Sequence, residues 1–226
     1  RGEQVTLIDR WEPGHSRAAS TDYNRVIRAI SGRDEFYTRW ARESRSRWLE
    51  LQSESGQNLM YECGALILAT KGHCDWEDAT SETFDRVGVP YHRFSKQDIQ
   101  QRFPQFKVDE IDYALFEPEA GLLMAHRCVL TTIDLFKRAG GIVKRGIVTT
   151  DATERPMLNG KPLEADTIVV ATGAWMSEMF PKTIKPIFEL AIQWTAYCLG
   201  EQEGEDTYLK MAEFGGIRSM SDLLSK

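Results

Sequence analysis

Gln4-Val5-Thr6-Leu7-Ile8-Asp9 is the stretch on which the fold reading turns. A short apolar run with β-branched residues predicts a buried strand over 4–8, and Asp9 closes it. An acid just past a strand can accept hydrogen bonds from both ribose hydroxyls of an adenosine, as in the second strand of a dinucleotide-binding βαβ unit. In such a unit a glycine fingerprint lies about 20 residues before the acid. Only eight residues precede Asp9, so the fingerprint is expected upstream of this sequence. Gly140-Gly141 and Gly146 do not replace it. They fit neither G-x-G-x-x-G nor a phosphate loop, because Ile147-Val148 stand where Lys-Ser/Thr is needed. Taken alone, Asp9 reads equally as a surface acid after any strand.

Working outward, Phe36, Tyr37, Trp40, Ala41, Trp48, Leu49 and Leu51 predict a helix over 34–51 with Asp34 as its N-cap. Arg39, Arg42, Arg45 and Arg47 on its other side read as a solvated face. A strand or hairpin arm is expected over 59–69 and a short helix over 81–88. Ser95-x-x-Asp98 caps a further helix that Pro104 stops. Two strands over 113–116 and 121–124 are joined by a turn at Glu117-Pro118. A helix over 127–139 closes at Gly140-Gly141, followed by strands over 142–148 and, strongly buried, 166–171. The polar run 213–226 shows no strand or helix. No repeat or low-complexity linker interrupts the chain. Alternating strands and helices predict an α/β fold with a mostly parallel sheet, plus an insertion rich in antiparallel strands.

The composition is that of a chain able to bury a real core: 226 residues, 42% hydrophobic and 27% charged. Disorder and collagen-like structure are excluded. A net charge of −6 argues against binding nucleic acid through its phosphates. No apolar run approaches the ~18 residues of a membrane span, and the start lacks a signal-peptide pattern. Cys63, Cys74, Cys128 and Cys198 form no C-x-x-C and read as small buried hydrophobes in a reducing compartment. His15, His73, His92 and His126 complete no tetrahedral set with them, so no metal is expected.

Three places carry chemistry. Asp9 is the first. The second is 15–28, a loop of small and hydroxyl residues running into Asn24-Arg25-Val26-Ile27-Arg28. Small side chains let the backbone approach a flat or phosphorylated ligand, and hydroxyls and amides then donate. On one helical turn, Arg25 and Arg28 would point the same way. One would favour negative charge on a cofactor ring, and the other would fork onto a substrate carboxylate. A pair of surface arginines is the plain alternative. The third place is the turn Ala171-Thr172-Gly173-Ala174-Trp175, where glycine permits backbone contact with a ligand at the carboxyl edge of a sheet. It also reads as a routine strand-to-helix turn.

Together and in this order, these segments resemble the flavin-dependent amine oxidases of the sarcosine oxidase type, a group that includes fructosyl-amino-acid, L-pipecolate and saccharopine oxidases. The resemblance rests on Asp9, Pro13, Ser16, Ser20 and Asn24-Arg25-Val26-Ile27-Arg28. It continues through Trp48 and Gly64-Ala65-Leu66 to Phe116-Glu117-Pro118, Gly121-Leu122-Leu123 and Gly173-Ala174-Trp175. It covers roughly residues 2 to 200. It implies an α/β fold: a partial Rossmann-like FAD-binding domain (1–58 and 122–194) with an inserted α+β substrate domain rich in antiparallel strands (59–121 and 195–226).

The resemblance also implies FAD as cofactor. Asp9 would hold the adenosine ribose, with Arg10 and Trp11 flanking the adenine. Ser20 would lie near the pyrophosphate or ribityl chain, and Asn24 and Arg25 beside the isoalloxazine. Arg28 would bind the substrate carboxylate, making Arg25 and Arg28 the catalytic pair. Val148 would offer backbone contacts on the adenine side. Thr172, Gly173 and Trp175 would pass close to the cofactor. The implied reaction removes hydride from a carbon next to a secondary amine, the imine hydrolyses to aldehyde and amine, and oxygen reoxidises the flavin to give hydrogen peroxide. The partners implied are a small amine or amino-acid substrate and oxygen, with no nucleic acid and no membrane, in the cytoplasm or a peroxisome.

The sequence departs from that pattern in lacking the glycine fingerprint and the later third of the family's length, so it reads as a fragment. None of the four cysteines stands where the family's covalent flavin link is made. Thr21 replaces a histidine that several relatives carry four residues before Arg25, which places the segment closer to oxidases of larger amino acids. Two other readings stay open: a non-catalytic remnant of the same fold acting as a binding protein, and an NAD(P)-dependent dehydrogenase. The second gives Asn24–Arg28 no role.

Overall fold

The computed structural model describes residues 3–18, 20, 23–184, 199–203 and 206–210. In chain order the elements are β1 (Thr6–Asp9), β2 (Arg25–Ile27), α1 (Glu35–Ser55), β3 (Met60–Tyr61), β4 (Ala65–Thr70), α2 (Asp75–Val87), β5 (His92–Ser95), α3 (Lys96–Arg102), β6 (Ile111–Glu117), β7 (Gly121–Leu123), α4 (Ala125–Arg138), β8 (Ile142–Arg145), β9 (Val148–Thr150), β10 (Pro156–Leu158), β11 (Lys161–Pro162), a 3₁₀ turn (Gly173–Trp175), α5 (Met176–Met179), β12 (Leu199–Glu203) and β13 (Asp206–Lys210). They fall into two compact units. The first comprises Arg1–Val5 and Glu12–Ile142, the second Thr6–Trp11 and Val143–Lys226.

The first unit is built on two antiparallel sheets, ordered β4-β6-β5 and β2-β7-β3. β6 is central, and its consecutive residues Tyr113, Ala114 and Leu115 are all buried. Side chains alternate along a strand, so both faces of this sheet are covered. On one face Ala114 packs with Phe94, Ile99 of α3 and Val108. On the other, Tyr113 and Leu115 pack with Ala69. Phe84 of α2 gathers Ala29, Ile30 and Val89 into a further cluster, with Ala41 of α1 against it. In the second sheet β7 lies between β2 and β3. Gly121 is required there, because a Cβ would run into the Tyr61 carbonyl.

Helix ends follow local chemistry. Asp34 caps α1 through the Tyr37 N–H, 3.3 Å from Oδ1. At the start of α3 the Asp98 N–H donates to Ser95 Oγ (3.2 Å), and the Ser95 N–H donates back to Asp98 Oδ2 (2.8 Å), completing a capping box. Gly56 and Gly88 close α1 and α2 in the left-handed conformation.

The second unit contains the pair β1-β8, the antiparallel ladder β9-β10-β11 and the antiparallel pair β12-β13. The Gly146 N–H donates to the Asp9 carbonyl at 2.9 Å, and the Ile142 N–H to the Val5 carbonyl at 3.0 Å. Both strands therefore advance in the same direction, and the pair is parallel.

Several sequence expectations are corrected. The sheets are mostly antiparallel. α2 does cross between β4 and β5, which run the same way, but β6 enters between them and pairs with both. Alternation along the chain reports the crossover and not the neighbour. The run over 4–8 is not buried: Val5 is 50% exposed and only Leu7 and Ile8 are half-buried. β1 has one hydrogen-bonded neighbour among the described residues, and strands buried on both faces need a wider covered sheet. The run over 166–171 forms no strand, and Val169 is 84% exposed. No neighbouring strand among the described residues supplies its ladder.

The strand expected over 142–148 divides at Gly146 into β8 and β9. A Cβ at Gly146 would meet the Leu158 side chain at 2.6 Å. Phe36, Tyr37 and Trp40 of α1 are exposed and stack with one another instead of entering the core. Of the cysteines, Cys63 is exposed, Cys74 half-buried and only Cys128 buried. Cys198, Thr21 and the run 213–226 lie outside the described residues.

Candidate functional site

The second unit brings together seven of the residues singled out by sequence. Asp9 ends β1, where the parallel pairing to β8 stops, and its Oδ1 accepts the Trp11 N–H at 3.0 Å. That bond turns the chain and leaves Asp9 Oδ2 without a hydrogen bond among the described residues. The Arg10 guanidinium lies 5.1 Å from the centre of the Trp11 ring. The Trp11 and Trp175 rings are 6.2 Å apart and tilted by 55°. Val148 pairs with Leu158 in the β9-β10 ladder.

In the turn before Trp175 the Trp175 N–H donates to the Thr172 carbonyl at 3.2 Å. Gly173 adopts φ +54°, with open space where a Cβ would stand. Thr172 Oγ1 is buried and has no hydrogen-bond partner among the described residues. A buried hydroxyl without a partner costs free energy, so this atom marks a place where a polar group is wanted.

The first unit holds the remaining site residues. Asn24 is buried beside Arg25, whose Nη1 donates to the Asn24 carbonyl at 3.1 Å. Arg25 opens β2 opposite Leu123. The helical turn expected for Arg25 and Arg28 is not formed, because the segment is recruited as an edge strand of the β2-β7-β3 sheet. The two arginines accordingly differ in their surroundings. Arg28 lies just past β2, donates to the Ile30 carbonyl and sits 5.9 Å from the Trp76 ring. Ser20 is half-buried in the preceding loop.

Glu117, quoted in the Phe-Glu-Pro segment but given no role there, is the residue sequence reasoning missed. It is 3% exposed. Its two carboxylate oxygens lie 2.9 and 3.0 Å from the Ala29 nitrogen, which donates to them. Burial pushes its carboxyl up from the ordinary value, while the Ala29 and Ile30 N–H groups and the Arg28 charge pull it down. The available signal was an acid that directly follows the run Tyr113–Phe116 of β6.

An acid closing a strand of a parallel pair, a tilted pair of indoles, a glycine turn and a hydroxyl unpartnered among the described residues all fall in the second unit. The chain belongs to the FAD dependent oxidoreductase (DAO) family, whose profile matches residues 1–202.

Among curated relatives, it is 26% identical over 188 residues to monomeric sarcosine oxidase of Bacillus sp. (strain B-0618), covering 80% of this chain and 48% of that protein. It is 25% identical over 187 residues to human peroxisomal sarcosine oxidase, covering 78% and 46%. Among solved structures, a modified fructosyl peptide oxidase from Aspergillus nidulans superposes with a TM-score of 0.65 at 20% identity, covering 76% of this chain and 44% of that one. The chain thus spans about half the length of the curated relatives it matches. The resemblance to the sarcosine oxidase and fructosyl-amino-acid oxidase group is borne out at the level of family. No helix among the described residues is long and apolar enough to cross a membrane.

The family is FAD-dependent, and the residues present fit that group. Among the described residues Thr172 Oγ1 lacks a polar partner, Gly173 leaves open space, and Asp9 Oδ2 accepts no hydrogen bond.

Proposed function

We propose that this chain carries the adenosine-binding and substrate-facing arginine segments of a flavin-dependent oxidase of N-substituted amino acids. The observation that carries the reading is the cluster of Asp9, Trp11, Trp175 and the unpartnered Thr172 hydroxyl in a chain of the FAD-dependent family. In this reading the Asp9 carboxylate accepts the ribose hydroxyls, as an acid after a strand does in dinucleotide sites. Arg10 and Trp11 flank the adenine, and the backbone at Val148 lines its edge. Thr172 donates to the cofactor, and Gly173 and Trp175 let the chain pass close to it. Ser20 lies along the pyrophosphate or ribityl chain.

FAD, when bound, would supply a hydride acceptor for the carbon next to the amine nitrogen, with oxygen as the final acceptor and hydrogen peroxide as the product. Asn24 and Arg25 border the flavin ring, where the Arg25 charge favours negative charge. Arg28 forks onto the substrate carboxylate and holds the reacting carbon in place. The names of the relatives favour sarcosine and bulkier N-substituted amino acids as substrates. The cofactor part is assigned to 1–58 and 122–194 and the substrate part to 59–121 and 195–226. This division differs from that into compact units.

The test is an FAD titration of the purified chain, followed by flavin fluorescence and the visible spectrum. Saturable binding with a perturbed spectrum is expected, weakened by Asp9→Ala and by Thr172→Val. Sarcosine added without oxygen should then bleach the bound flavin, and oxygen should restore it with release of peroxide. No flavin binding by a chain whose circular dichroism shows it folded overturns the assignment.

A further inference from the structure

Glu117 is the only fully buried carboxylate among the described residues. It ends the central strand β6, and it reaches the chain just after β2. Both of its carboxylate oxygens accept the Ala29 N–H, at 2.9 and 3.0 Å. The carbonyl of the next residue, Ile30, accepts the Arg28 guanidinium. One short stretch of backbone is therefore held by the carboxylate through the Ala29 N–H and by the arginine through the Ile30 C=O.

A cavity of about 10 Å³ bordered in part by Arg28, Ala29, Arg42, Arg45, Glu117 and Glu119 is the space left around this grip. That is room for no more than about one water. The Ala29 N–H and the nearby Arg28 charge both favour the ionised carboxylate. An amide in place of the carboxylate would offer a single acceptor and turn an NH₂ group toward the donor.

We infer that Glu117 is a positioning residue: it fixes the Ala29–Ile30 backbone and so aims Arg28 at the substrate carboxylate. The inference rests on the reading of Arg28 given above. It explains why an acid is buried in an apolar sheet at the turn that leads from β6 into β7, the strand paired with β2.

The probe is methoxyacetate, which has the shape of sarcosine but no oxidisable amine, with methoxyacetamide as its neutral counterpart. Both are titrated calorimetrically into the FAD-loaded chain. Arg28→Met is expected to abolish the preference for the carboxylate. Glu117→Gln is expected to weaken methoxyacetate about tenfold, to leave methoxyacetamide unchanged, and to speed hydrogen exchange at the Ala29 amide. An amide-to-ester replacement at Ala29, which removes the donor and keeps every side chain, should reproduce the weakening.

Unchanged methoxyacetate binding in Arg28→Met overturns the reading of Arg28. An effect of Arg28→Met with none from either Glu117→Gln or the ester overturns the role of Glu117 alone. Equal weakening of both probes assigns Glu117 to folding only and also overturns it.

Discussion

Arg25 and Arg28 show how residue identity and residue geometry separate. Their spacing was readable at once, and it suggested a shared helical face. The chain is instead extended through Arg25–Ile27, and each guanidinium turns to a different carbonyl, Asn24 for Arg25 and Ile30 for Arg28. If the roles proposed for them hold, Arg28→Ala should raise KM for carboxylated amines and lower kcat/KM by about 2–4 kcal/mol equivalent, because a charge-assisted fork is lost. Arg25→Ala should slow flavin reduction and leave substrate binding nearly unchanged. Steady-state kinetics with sarcosine and stopped-flow reduction separate the two. A pure binding defect in Arg25→Ala contradicts its assignment. Glu117 carries the complementary lesson. Its partner Ala29 stands 88 residues away along the chain, and no local pattern announces that contact.

At the scale of elements, α3 was legible because everything that starts it is local. Ser95 and Asp98 are three residues apart and satisfy each other's backbone donors. The Ser95 hydroxyl, then its N–H, hold the Asp98 carboxyl below the usual aspartate range. A carboxyl depressed in the folded state contributes stability above its unfolded pKa, and that contribution is lost as pH falls through the folded value. Ser95→Ala should therefore destabilise the chain at neutral pH, and the gap to the unaltered chain should narrow on acidification. Urea midpoints across the acid range measure it, and a gap that widens toward low pH would refute the coupling. The run over 166–171 is the opposite case. Its Thr-Ile-Val-Val sequence has every local mark of a strand, yet a strand needs a partner as well as a propensity. Val169 stands 84% exposed without one.

For the whole molecule, Asp9, Trp11, Thr172 and Trp175 fall in one compact unit and Asn24, Arg25, Arg28 and Glu117 in the other. A ligand bound only by the folded chain stabilises it by mass action. FAD at a hundredfold excess over its Kd should add about 2.7 kcal/mol, read as a rise in the thermal midpoint. Thr172→Val should reduce that rise and leave the midpoint without FAD at or above its original value, because the variant removes a buried hydroxyl that has no partner among the described residues. A midpoint that FAD does not move would contradict the cofactor assignment at this scale.

By itself, the sequence was enough to mark the acid after the first strand, the helix caps, the arginine segment and the family resemblance. Each is read from short segments whose residues stand within a few positions of one another, and the resemblance adds only the order of those segments along the chain. Only the tertiary structure decided that β6 enters between β4 and β5, that β2 is a strand, that Trp11 faces Trp175, and that Glu117 holds the backbone beyond Arg28. Each joins segments far apart in the chain. Closing such a contact costs conformational entropy that no local preference repays. The burial of the surrounding core settles which of them form.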